Sequence, residues 1–176
     1  MYSYDAKEVK RYLIGGIIFV AIVGTLGHFV YGWSGQNKFV GLFFPVNESI
    51  WEHMKLIFFP MLLFIVFMRN KIPMEVVPLS FLAGSIGTWS LPVMYYVYSG
   101  ILGKNIQWVD IGLFYIAVLL VFGIIHWVLS GKSRYMTIDK IEAYCPVIIF
   151  FVVLMLALFM AFSVFPPELG IFEIPN

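Results

Sequence analysis

Apolar positions along the chain fall into five long runs, at about residues 12–33, 49–68, 76–98, 108–129 and 144–165, separated by short polar links. A helix needs about 20 residues to cross a hydrocarbon layer about 30 Å thick, and each run has that length. The runs lack the apolar–polar alternation of barrel strands. The pattern therefore predicts an all-α fold, a five-transmembrane-helix bundle forming a single integral membrane domain over residues 1–176. The apolar piece at 36–46 is too short to cross and predicts an interfacial or re-entrant segment. Residues 166–176 carry Pro166, Pro167 and Pro175 and predict a non-helical cap.

Charge then orients the spans. Lys7, Lys10 and Arg11 precede span 1, Arg69 and Lys71 join spans 2 and 3, and Lys132, Arg134 and Lys140 join spans 4 and 5. Only Lys38, Lys55 and Lys104 fall on the other side. The positive-inside rule places the N-terminus in the cytoplasm and the C-terminus outside it. The expected location is the plasma membrane, as a multi-pass protein. Trp33, Trp51, Tyr95, Tyr96, Tyr98 and Trp108 then form an expected aromatic belt at the outer boundary.

Composition agrees. Of 176 residues, 61% are hydrophobic and 12% charged, against about 25% charged in soluble domains. The expected partner is the lipid bilayer, with a small-molecule or lipid ligand and a homo-oligomer both open. A net charge of +1 gives no reason to expect nucleic acid. A single cysteine, Cys145, excludes an intrachain disulfide. The first apolar run is too long for a signal-peptide core and reads as a retained span. No internal repeat is visible, which counts against an inverted-repeat transporter. Small residues in spans 1 and 3, including Gly15, Gly16, Gly24 and Gly27 and the face Ser80, Gly84, Thr88, predict that these two spans are central. Pro60 and Pro92 are expected to kink or loosen their helices.

The chemistry concentrates in Asn47-Glu48-Ser49-Ile50-Trp51-Glu52-His53-Met54-Lys55. From Leu56 to the end of span 2 the helix is too short to cross, so it continues back to Ser49. That places Glu52 and His53 about 5 Å below the outer boundary. Counting along span 1 places His28 at a similar depth. Ionisable groups there face the bundle interior or water. Glu48 and Glu52 are four residues apart and repel unless a proton or cation intervenes. Three readings follow. His28, His53 and Glu52 form a ligand set for zinc or another divalent metal, with Glu52 and Glu48 as the catalytic carboxylates of metal-assisted hydrolysis. Asn47, Ser49, Tyr95 and Asp110 line the same polar site. Alternatively, the carboxylates serve transport of an ion or small molecule. In the third reading, Ser49 and Glu52 form a capping box, Glu52 pairs with Lys55, and the motif serves a structural subunit.

The segment from Phe44 to Leu56, taken with the tail from Phe165 to Phe172, resembles a family of small bacterial integral membrane proteins of unknown function. The N-E-S-[IV]-W-E-H core carries the likeness. The resemblance implies a membrane location and no particular activity.

Overall fold

A computed structural model describes residues 6–131 and 136–175, all helix, turn and loop. Lys132 and Arg134, used above for orientation, lie outside the described residues. The elements are α1 (Ala6–Trp33), α2 (Lys38–Gly41), α3 (Ile50–Met68), α4 (Val76–Leu102), α5 (Gln107–Leu129), α6 (Ile138–Ala143) and α7 (Cys145–Val164), followed by a 3-10 turn at Gly170–Phe172. Five of them, α1, α3, α4, α5 and α7, are long and apolar enough to cross a membrane.

Four helices close a ring. α3 packs on α1 and α4, α4 on α5, and α5 back on α1, while α7 lies against α4 and α3. The central helix is α3, with 13 of its 19 residues buried. This corrects the expectation that spans 1 and 3 are both central. α1 is peripheral and buries one narrow stripe, Tyr12, Gly16, Val20, Gly24 and Gly27. Its opposite face, Ile14, Ile18, Ile22 and Leu26, is exposed, as a lipid-facing stripe is. The small residues mark close approach instead. A Cβ on Gly24 would lie 2.5 Å from the Leu56 carbonyl oxygen, and one on Gly87 would lie 2.1 Å from Val121.

Neither internal proline ends its helix: Pro60 sits inside α3 and Pro92 inside α4. α4 runs on to Leu102 and stops at Gly103, whose φ of 69° takes the left-handed conformation while its N–H bonds the Ser99 carbonyl. Ser85 and Thr88 donate to the carbonyls of Phe81 and Gly84 on their own helix.

The expected aromatic belt divides. Trp33 and Trp108 are exposed, but Trp51 and Tyr95 are buried. Trp51 sits in a nest with Phe159 at 4.8 Å, Phe172 at 4.9 Å and Phe162 at 5.5 Å between ring centroids. That nest seats the tail on the start of α3. Aromatic pairs at such separations add about 0.5–1.5 kcal/mol beyond area burial.

Candidate metal centre

The Ser49 side chain accepts the N–H of Glu52 at 3.4 Å and caps α3. The capping box is not closed in the expected way. The Ser49 N–H bonds Asn47 Oδ1 at 2.9 Å, and Glu52 instead accepts the N–H of Val46 at 2.9 Å. The helix entry therefore consumes Asn47, Ser49 and Glu52 in backbone bonds.

Glu52 is further committed. Lys55 lies one turn along, and its ammonium donates to Glu52 Oε2 at 2.7 Å. It also donates to the Gly41 carbonyl at 2.9 Å and to Ser163 Oγ at the end of α7. An ammonium has three donors, and these are three acceptors. Ser163 Oγ also stands 3.1 Å from Glu52 Oε1. Both charged side chains are buried, at 0% and 3% exposure. The pair ties the 41–46 segment and α7 to α3. The Glu52–Lys55 pair is legible from its i, i+3 spacing, whereas Ser163 and Gly41 carry no local signal.

Glu48 and His53 face another way. His53 Nε2 stands 3.4 Å from Glu48 Oε2, and His28 Nε2, on α1, stands 3.8 Å from Glu48 Oε1. The two imidazole rings lie 5.2 Å apart, centroid to centroid. One ligand atom from each of His28, Glu48 and His53 falls within 4.8 Å of the others. Glu48 is 64% exposed, so the cluster opens outward.

The tautomer of His53 follows from its partner. Nδ1 is 2.8 Å from the Ser49 carbonyl oxygen, which can only accept, so Nδ1 carries the hydrogen. In the neutral ring Nε2 is then a lone pair aimed at a carboxylate. Two acceptors at that distance repel, so a proton or a metal cation belongs between them. An Nδ1–H bonded to a backbone carbonyl is also how metal-ligating histidines are commonly oriented. His28 Nδ1 is buried and has no hydrogen-bond partner among the described residues, while its Nε2 faces Glu48. The hydrogen bond with the His53 ring, then the charges of both histidines, hold the Glu48 carboxyl below the usual carboxylate range.

The other expected residues divide by position. The Asp110 carboxylate accepts from the Tyr98 hydroxyl, which in turn accepts the Ile106 N–H at 3.1 Å. That bond closes the α4–α5 link. Tyr95 packs edge-on to Tyr96 and Tyr98. The structure thus brings His28, Glu48 and His53 together and leaves Glu52 out, because Glu52 points to Lys55.

Residues 1–174 match the model of a family of unknown function, DUF6512. The chain belongs to that family. No curated protein matches it, and no solved structure does. Five apolar helices in this member fit a membrane protein.

Proposed function

We propose that His28, Glu48 and His53 hold a divalent metal ion, zinc by donor type, and that the protein uses it for metal-assisted hydrolysis. The observation that carries this reading is the convergence of two imidazoles and one carboxylate, drawn from two helices and the loop before α3, within 4.8 Å. Catalytic zinc takes three such protein ligands and keeps a fourth position for water. Zinc–ligand bonds of about 2.1 Å in a tetrahedron separate ligand atoms by about 3.4 Å. The two histidines approach different oxygens of Glu48, at 3.4 Å and 3.8 Å, so ligation through one atom each, now spread within 4.8 Å, requires the three side chains to draw in by about 1 Å. In this reading Glu48 replaces Glu52 as the carboxylate ligand, and a bound metal would supply an activated water.

The charge pattern supports an orientation with the site on the extracytoplasmic side of a plasma membrane. A transport reading has less to stand on, because Ser85 and Thr88 are spent on their own helix. The test is elemental analysis of the full chain purified in detergent without chelator. Zinc near one per chain, lost in His28→Ala, His53→Ala and Glu48→Gln but kept in Ser49→Ala, is the expected result. A metal-free wild type overturns the reading.

A further inference from the structure

The end of the bundle remote from the histidines holds a cavity of about 300 Å³. It lies between the start of α1, the α3–α4 link, the start of α4 and the end of α5. Its walls include Val9, Ile72 and Leu129, and Tyr12 forms part of its lining. The Tyr12 hydroxyl is already occupied: Ser80 donates to the Val76 carbonyl at 2.9 Å, so Tyr12 donates to Ser80 Oγ at 2.8 Å. Tyr12 therefore offers a ring surface and no free donor. Among the described residues, the charged lining groups are Arg11, Lys71 and Glu8.

From this arrangement we propose that the cavity binds the headgroup of an anionic phospholipid. Three observations converge. The volume sits at the lower end of the range for ligand clefts and suits a headgroup rather than a whole lipid. Two cations against one acid among the described residues leave a surplus of one positive charge, which matches one phosphodiester. Arg11 supplies the planar fork suited to phosphate oxygens, and Lys71 the second charge. Glu8 then accepts from headgroup hydroxyls. Apolar walls beside the cations suit the glycerol and first acyl carbons, and free phosphate has no use for them. Lys10 and Arg69 stand at the same end, the end that the charge rule places at the cytoplasmic leaflet, where anionic lipids concentrate. This site shares no residue with the metal centre and does not depend on it.

Native mass spectrometry of the full chain tests it, with short-chain phosphatidylglycerol, short-chain phosphatidylcholine and inorganic phosphate as the probes. Phosphatidylglycerol is expected to be retained well above phosphatidylcholine. Arg11→Gln and Lys71→Gln should each weaken it about fivefold, the factor for about 1 kcal/mol per cation. Ile72→Trp, which fills the cavity without changing charge, should weaken it as much or more. Lys10→Gln and Arg69→Gln should leave it unchanged. Equal retention of the two lipids overturns the proposal. So does an equal loss in the Lys10 and Arg69 variants, or normal binding by Ile72→Trp, either of which marks general surface charge. Displacement of the lipid by equimolar inorganic phosphate overturns it as well, since that marks a free-anion site.

Discussion

Glu48 and Glu52 stand one helical turn apart in sequence, yet their carboxylates serve different ends of the local structure. Glu52 is buried against Lys55 at 2.7 Å, and Glu48 is exposed between His28 and His53. The repulsion expected of two carboxylates at that spacing is relieved because each has its own cationic or proton-bearing partner. The same segment thus carries a structural latch and an open cluster. The latch also positions the cluster: Glu52 holds the N–H of Val46, two residues before Glu48.

The latch predicts a non-additive stability pattern. Breaking a buried ion pair on one side leaves an uncompensated charge and costs about 3–5 kcal/mol, whereas replacing both partners with apolar groups is often neutral. Glu52→Leu and Lys55→Met should each lower the melting temperature in detergent strongly. The double variant should recover the part of the loss due to unpaired charge, but not the part due to the Val46 N–H and Gly41 carbonyl, which lose their partners. A double variant as unstable as the sum of the singles would show that the two residues act independently.

Much of this fold is legible in the sequence, because hydrocarbon imposes it. An apolar run of about 20 residues must become a helix to satisfy its own backbone. Which helix is central is less legible. Glycine signals close approach, and α1 makes its approach with one stripe while the rest faces outward. The division of the motif is also hidden. Spacing shows that Glu48, Glu52, His53 and Lys55 share a helix entry, but not which turn inward. Ser163 is the one hydroxyl in the α7 run, and that is its only signal. Its partners lie 108 and 111 residues away, beyond any local rule. His28 is legible from depth alone, because counting helix rise along two independent spans places it level with His53.

The glycines give a paired test of close packing. Gly24→Ala pushes a methyl toward the Leu56 backbone oxygen, which cannot rotate away, and Gly87→Ala pushes one into Val121. Both should destabilise the bundle by about 1–3 kcal/mol as overpacked sites do. Gly15 has nothing within 4 Å of its would-be Cβ. Gly15→Ala should leave stability unchanged or raise it, since alanine favours helix by up to about 1 kcal/mol. Thermal unfolding of the three variants side by side checks the ranking.

The Glu48 carboxyl sets a pH dependence with a definite sign. Its value is lowered from the ordinary 4.5 by the His53 hydrogen bond. A carboxyl that binds protons less tightly in the folded state stabilises that state above its ordinary value. The contribution is complete above about pH 4.5 and is lost as the pH falls below it through the lowered value. Because Glu48 is largely exposed, the effect is small, under about 1 kcal/mol. Comparing the acid limb of stability for wild type and Glu48→Gln should show a shallower fall in the variant. Identical limbs would remove Glu48 from the ion-pair cluster.

Zinc should separate the cap from the cluster. A ligand that binds only the folded state stabilises it by about 2.7 kcal/mol at a hundredfold excess over its dissociation constant. Wild type should gain such an increment on zinc addition, and Glu48→Gln and His53→Ala should not. Ser49→Ala removes the cap hydrogen bond on Glu52 but leaves the Ser49 carbonyl that orients His53. It should lose about 1 kcal/mol with and without zinc alike. Its zinc increment should equal that of wild type, because the hydroxyl and the metal cluster act through different groups. If Ser49→Ala abolished the increment while keeping the fold, cap and cluster would be one coupled unit, and Ser49 would have to be counted among the groups that hold the site in shape.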